Sequence, residues 1–310
     1  MEYKHIPIML NECLENLKIK ENGIYVDGTL GGAGHSSEIL KRIPKGFLIG
    51  IDKDNEALDV SRQRLSKYGN NFIAVKGDHK DIKEIVNSLG YTKVDGILLD
   101  LGMSSYQIDN KERGFSYMSD AKLDMRMDSE QELTAEYIIN NYSESELLKI
   151  LYEYGEENFA KSIVKNIILQ RKIKKIETTF ELSEIIKKSI PAKFQKNGNP
   201  CKKTFQALRI EVNGELIDLK NTLIDCISLL SSGGRLCVIT FHSLEDRIVK
   251  NTFKEQSLEC TCPPRLPICV CGGHNAKINI ITKKPIEPSN NEQDENTRSR
   301  SSKLRVAEKK

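Results

Sequence analysis

Between Ile24 and Arg42 the chain runs from an apolar stretch, Ile24-Tyr25-Val26-Asp27, through a turn with glycines at 28, 31, 32 and 34, into a helical segment from Ser36. Glycines in such a turn let the backbone pass close under a ligand, and the following helix start offers free N–H groups. Few arrangements other than a strand–turn–helix unit accommodate this pattern. The chain then repeats the alternation. Phe47-Leu48-Ile49-Gly50-Ile51-Asp52 predicts a second strand, with a helix after it to about Tyr68. Phe72-Ile73-Ala74-Val75 and Gly96-Ile97-Leu98-Leu99-Asp100 predict two more strands. Strands alternating with helices imply an α/β fold with a parallel sheet.

From about Ser104 the periodicity turns helical and stays so to Glu215. Ser143-x-x-Glu146 and Thr178-x-x-Glu181 are capping boxes ahead of apolar repeats. Phe159, Ile163, Val164, Ile167 and Ile168 share one helical face. A long helical pattern from Thr204 is expected to reach Leu230 and stop at Ser231-Ser232-Gly233-Gly234. Strand character returns at Leu236–Phe241 and Ile278–Ile281. The expected organisation is therefore an α/β domain over 1–103 and 216–286, interrupted by a helical domain over 104–215. The polar stretch 287–310 is expected to be a loosely ordered tail.

Charge limits the partners. The 310 residues carry a formal net charge of +3, so any nucleic-acid contact must come from local patches. The helical segment is lopsided: residues 109–157 hold 13 acids and 5 bases, and residues 158–215 hold 5 acids and 13 bases. Arg171, Lys172, Lys174, Lys175, Lys193, Lys196, Lys202 and Lys203 gather around two expected loops. They suit a phosphate-tracking surface as well as they suit ordinary solvated helix faces. No apolar run is long enough to span a membrane, and the start of the chain lacks a signal-peptide core. Eight cysteines are too sparse for a disulfide scaffold, so a reduced, cytoplasmic setting is expected.

The candidate ligand site follows the strand ends. The glycine spacing departs from G-x-G-x-x-G, and Asp27 ends the first strand where a pyrophosphate would meet a negative charge, which disfavours a nicotinamide dinucleotide. S-adenosylmethionine carries an ammonium and a sulfonium, so a carboxylate there is favourable. Asp52, about 20 residues past the turn, is placed to accept both ribose hydroxyls. Asp78 or His79 ends the third strand near where an adenine would lie, and Asp100 ends the fourth, facing the reaction centre. His35 is either a cofactor contact or a helix cap.

Several segments together resemble one family. They are Val26-Asp27-Gly28-Thr29 with Gly34-His35-Ser36, Gly96–Gly102 with Ser104-Ser105, and Arg113-Gly114-Phe115-Ser116. Leu123–Met127, Tyr154-Gly155-Glu156-Glu157, Thr204–Ile210 and Phe241–Arg247 complete the set. From His5 to the Arg298–Val306 stretch the chain resembles the ribosomal RNA small-subunit methyltransferase H family, also called MraW. The resemblance implies a Rossmann-like class I S-adenosylmethionine-dependent methyltransferase with an inserted all-helical recognition domain. The implied reaction is methylation of N4 of one decoding-centre cytosine in 16S rRNA of the 30S subunit. It implies cofactor contacts at Ala33, Gly34, His35, Asp52, His79, Asp100 and Gln107, with Asp27 added from the strand-end reading. Ala33 stands where the family has Gly, His79 where Phe is common, and Cys201 where Ala is expected.

The expected chemistry is an in-line displacement in which positioning does most of the work. The exocyclic amine of cytosine is a poor nucleophile, so an acceptor for its N–H bonds is needed; Asp100 is the candidate, with His242 as alternative or as a turn residue. Lys193, Lys196, Lys202, Lys203 and Arg209 are the candidate RNA contacts. Pro200-Cys201 superficially resembles the nucleophile of C5-methylating enzymes but lies in the basic loop, not after a sheet strand. Cys260-x-Cys262 and Cys269-x-Cys271 could bind a structural zinc or remain thiols. A rival reading is a cofactor-binding ribosome-assembly module without turnover. A homodimer stays open.

Overall fold

The computed structural model describes residues 7–262 and 270–310, with Ser105, Tyr106, Lys196 and Asn197 described by backbone alone. The chain divides into two units, Met1–Gly102 with Leu216–Lys310, and Met103–Glu215.

The first unit begins α1 (Leu10–Leu17), β1 (Ile24–Asp27), α2 (Gly34–Leu40), β2 (Phe47–Asp52), α3 (Asn55–Leu65), β3 (Phe72–Lys76), α4 (Ile82–Ser88) and β4 (Val94–Asp100). The second unit holds α5 (Ser105–Asp109), α6 (Ala135–Asn141), α7 (Glu144–Glu153), α8 (Ala160–Ile173), α9 (Thr179–Ser189) and α10 (Lys202–Asn213). The first unit resumes with α11 (Leu219–Leu229), β5 (Leu230–Thr240), α12 (Ser243–Gln256), β6 (Ile278–Ile280), α13 (Asn290–Glu295) and β7 (Lys303–Lys309).

One sheet runs in the order β3-β2-β1-β4-β5-β7-β6. β1 to β5 are parallel neighbours, whereas β7 runs antiparallel between β5 and β6. The chain leaves β1 towards β2 and β3, then returns to the other side of β1 with β4. The ends of β1 and β4 therefore flank a switch point, the crevice where open α/β sheets hold ligands. Alternate residues of β4 supply both faces. Ile97 and Leu99 pack with Ile82, Val86, Leu223, Val249 and Phe253. Leu98 packs with Tyr25, Leu48, Cys13, Ile39 and Leu58 on the other face. A strand covered on both sides must read as a continuous apolar run, which is why Ile97-Leu98-Leu99 carries no polar alternation.

The expected loosely ordered tail is instead structured. Residues 290–295 form α13, and Lys303–Lys309 is an interior strand of the sheet. Two of its charges are neutralised in place: Arg305 forks onto Asp246 at 2.6 and 3.0 Å, and Glu308 meets Arg235 at 2.9 Å. Leu304, Val306 and Ala307 are buried. The single long helix expected from Thr204 is two helices, because Gly214 adopts φ 62 and caps α10. The second of these, α11, stops where expected, with Leu230 as its C-cap, and Ser231–Gly234 then form an irregular start to β5, between the pairs Val94–Leu230 and Gly96–Arg235.

The helical unit packs Leu147, Leu151, Ile163, Val164, Leu182, Ile186, Phe205 and Leu208 into one core. Both expected capping boxes form, at Ser143 with Glu146 and at Thr178 with Glu181. Buried Asn213 ties the ends of this unit together: its Oδ1 accepts from Met127 N at 2.7 Å, and its Nδ2 donates to Met125 O and Arg209 O at 2.9 Å. At Gly114, φ is 72 and an added Cβ would fall 2.1 Å from Lys122 O, so no other residue fits. Among the described residues no helix is long and apolar enough to cross a membrane.

Candidate active site

The turn after β1 is built by side chains that grip backbone. Asp27 is 2% exposed. Its Oδ1 accepts from Thr29 N at 3.1 Å and Thr29 Oγ1 at 3.4 Å, and its Oδ2 accepts from Ser36 Oγ at 2.7 Å. Burial pushes the Asp27 carboxyl up to about 6, against the opposing pull of the Ser36 and Thr29 bonds. Asp27 thus lies beneath the loop rather than at its mouth, latching β1 to the first turn of α2. Gly31 at φ 49 and Ala33 at φ 55 both occupy the left-handed region, so Ala33 holds a conformation that favours the glycine expected there. Gly34 begins α2, and an added Cβ would meet Pro7 Cγ at 2.5 Å. Around Gly32 an added Cβ would find nothing within 4 Å, which leaves the loop's outer side open.

Asp52 serves the same loop from β2. Its Oδ2 accepts from Gly31 N at 2.7 Å and its Oδ1 from Asp54 N at 2.9 Å. A carboxylate has about four lone-pair sites, so each oxygen keeps capacity for one further donor. Burial raises the Asp52 carboxyl, and the two N–H bonds oppose this. His79 follows β3 with its Nδ1 2.9 Å from Asp78 Oδ1, and its Cβ lies 3.6 Å from the point where a Gly28 Cβ would stand. His79 therefore reaches the β1 turn from the side. Burial would raise Asp78, yet the His79 ring and Lys53 outweigh it and hold that carboxyl well below its ordinary range.

Asp100 differs from all of these. Its backbone N–H donates to Thr29 Oγ1 at 2.6 Å, which fixes the end of β4 against the β1 turn. Its side chain is 27% exposed, with Oδ2 3.8 Å from His35 Nδ1. Oδ1 is buried and has no hydrogen-bond partner among the described residues. Burial, with the carboxylates of Asp27 and Glu245 adding to it, pushes Asp100 up to about 8. His35 places Nε2 3.0 Å from Ile8 O. A carbonyl only accepts, so Nε2 carries the proton and Nδ1 faces Asp100. His35 is thereby anchored beside the acid rather than capping α2, whose N-cap is Ala33.

His242 is the N-cap of α12. Its Nδ1 accepts from Glu245 N at 3.4 Å and its Nε2 lies 3.2 Å from Glu245 Oε1. A ring accepting at Nδ1 carries its proton at Nε2. Nδ1 therefore serves the helix start, while Nε2 is buried and makes no hydrogen bond among the described residues. Gln107 belongs to the helical unit, where its Oε1 accepts from Ser104 N at 3.2 Å. Sequence reading included Thr29 and Ser36 in the segments that carry the resemblance but gave them no role; they are the hydroxyls that decide which acid is latched.

The candidate RNA contacts separate. Lys193 and Lys202 are exposed, Lys193 with its Nζ 4.9 Å from the Phe194 ring centroid. Lys203 is exposed but donates to Glu156 O at 2.7 Å. Lys196 has a side chain outside the described residues. Arg209 is corrected: its fork meets Glu215 at 2.9 and 2.8 Å, with the two side chains 13% and 7% exposed, so it is a neutralised internal pair. Cys201 is 1% exposed and burial raises its thiol, which fits no nucleophile. Cys260, Cys262 and Cys271 cluster, while Cys269 lies outside the described residues.

A parallel sheet reversed at its switch point, an antiparallel β7 beside β5, a glycine turn after β1 and acids ending β2 and β4 define a Rossmann-like class I methyltransferase fold. A model of the MraW methylase family matches residues 2–310, and the chain belongs to that family. Three proteins named ribosomal RNA small subunit methyltransferase H are similar along the whole chain. That of Finegoldia magna is 54% identical, covering 100% of this chain and 99% of its own. One from Clostridium botulinum is 56% identical and one from Clostridioides difficile 52%, each covering 100% of both chains. Among solved structures, an rRNA methylase from Streptococcus thermophilus aligns over 97% of this chain and 93% of that one, at 12% identity and a TM-score of 0.40.

Proposed function

We propose that this chain methylates the N4 amine of a decoding-centre cytosine in 16S rRNA of the small ribosomal subunit, with S-adenosylmethionine as methyl donor. The names of its relatives support ribosomal RNA of the small subunit as substrate. The observation that carries the amine chemistry is the buried, unpartnered Oδ1 of Asp100 at the switch point.

The residues present fit the donor. Asp52 has one acceptor site left on each oxygen for a pair of ribose hydroxyls, and the open side of Gly32 leaves room against the loop. When bound, the donor supplies a methyl carbon made electrophilic by its sulfonium. Asp100 is the residue that the raised carboxyl and the orphaned oxygen single out. Ionised, its Oδ1 accepts an N–H of the amine and draws the nitrogen lone pair away from ring conjugation. As nitrogen gains the methyl group it becomes cationic, and the adjacent carboxylate stabilises that charge before taking the proton. His35, held by Ile8 O, positions its Nδ1 edge beside Oδ2. The target base must leave its stack to reach this crevice. Lys193 and Lys202, exposed on the helical unit, are the side chains we assign to phosphate contact.

The test is tritiated methyl incorporation into 30S subunits from a strain lacking the enzyme, with nucleoside mass spectrometry of the product. N4-methylcytidine is the expected product. Methylation at another atom or base would overturn the assignment, and cofactor binding without incorporation would favour the assembly-module reading.

A further inference from the structure

In the described parts of the connection between α12 and β6, residues 257–262 and 270–277, three thiols lie together. The sulfurs of Cys260, Cys262 and Cys271 lie within 4.8 Å of one another, and those of Cys260 and Cys271 are 3.7 Å apart. Disulfide sulfurs are bonded at about 2.05 Å. Sulfurs around a tetrahedral zinc, each about 2.3 Å from the metal, stand about 3.8 Å apart along the tetrahedron's edge. The observed 3.7 Å excludes a disulfide and matches a tetrahedral edge, although it is also the length of a thiol–thiol hydrogen bond, so the surrounding donors must discriminate.

The surrounding donors point the same way. Thr261 N donates to Cys271 Sγ at 3.4 Å, Val270 N to Cys262 Sγ at 3.3 Å, and Asn275 Nδ2 to Cys271 Sγ at 3.2 Å. N–H groups aimed at sulfur favour the thiolate, which is the form that ligates metal. Backbone bonds independent of the sulfurs draw the two arms together: Asn275 N donates to Glu259 O at 3.0 Å and Lys277 N to Gln256 O at 2.8 Å. The thiols are thus arranged by the fold, not merely close in sequence.

We propose that Cys260, Cys262 and Cys271 hold one zinc ion that clamps this connection. A set of thiolates selects a soft or borderline cation over magnesium or calcium, and zinc binds them without redox chemistry. Each ligating thiol releases its proton to solvent on binding, and nothing is oxidised. The ion's role is to close the connection ahead of β6, an edge strand.

The full-length chain, purified under reducing conditions without chelator, is assayed by elemental mass spectrometry and then loaded with cobalt(II). The expected result is one zinc per chain, and in the cobalt form a sulfur-to-metal charge-transfer band with the intense visible absorption of a tetrahedral site. Cys260→Ser and Cys271→Ser should lose the metal to background while still binding cofactor. Should those variants not fold, the wild-type cobalt spectrum decides. A wild-type protein that takes up no metal on reconstitution, or shows no thiolate charge-transfer band, overturns the proposal. A Cys260–Cys271 disulfide under the same reducing conditions does so as well.

Discussion

β1 and β4 lie side by side, and each ends in an aspartate, but the two acids are used in opposite ways. At the end of β1, Asp27 is enclosed and both oxygens accept from Thr29 and Ser36. At the end of β4, Asp100 has Oδ1 buried without a partner and a carboxyl pushed up to about 8. The fold satisfies the first and leaves the second unsatisfied. A buried polar group without a partner carries a standing cost, so a site that retains one is poised to receive a donor. The same hydroxyl sharpens the contrast, since Thr29 Oγ1 donates to Asp27 while accepting the backbone N–H of Asp100.

The largest effect that could break this comparison is on folding. Asp27→Ala leaves the Ser36 hydroxyl and the Thr29 N–H without their acceptor, and should cost about 2–4 kcal/mol in a denaturant titration. An Asp27→Ala protein with wild-type stability and weakened cofactor binding would instead return Asp27 to the ligand contacts. Next is Asp52→Ala, expected to weaken S-adenosylmethionine binding by about 1.5–3 kcal/mol by calorimetry, with a smaller stability loss from the freed Gly31 N–H. An unchanged dissociation constant would remove Asp52 from the site.

Asp100→Asn should act on stability with the reverse sign to Asp27→Ala. A carboxyl raised in the folded state stabilises the fold below its unfolded value of about 4, and that contribution is lost as pH rises through about 8. The ligand-free protein should therefore lose stability between those pH values, and Asp100→Asn should flatten that slope. The smallest effect expected is on RNA. Lys202→Ala should lower the log–log salt slope of RNA binding by about one unit, leaving cofactor affinity unmoved. Lys203→Ala, which also frees Glu156 O, should show a stability loss as well.

Much of the α/β unit is legible in the sequence because its signals are local. Phe47–Asp52 and Gly96–Asp100 are apolar runs ending in an acid; the first is a strand with those ends, and the second ends β4, which starts two residues earlier at Val94. The capping boxes at Ser143 and Thr178 are self-contained and form as read. What escapes depends on partners distant in the chain. Lys303–Lys309 looks like polar tail because Arg305 and Glu308 are charged. Their neutralisation by Asp246 and Arg235 belongs to the folded sheet. Arg209 reads as an RNA contact until Glu215 is seen to hold its fork. Asp27 and Asp100 are the plainest case: identical residues at identical strand positions, distinguished only by where Ser36 and Thr29 direct their hydroxyls.

The most direct measurement is single-turnover methyl transfer on 30S subunits at saturating cofactor, run across pH for wild type and Asp100→Asn. Asparagine keeps one acceptor oxygen and removes the charge. If the ionised Asp100 receives the amine, wild-type transfer should rise with pH along a single ionisation. Asp100→Asn should be slower by about 10²-fold or more, with that ionisation gone from its profile. Near-equal rates and the same pH profile in both proteins would contradict the account and reduce Asp100 to an orienting contact.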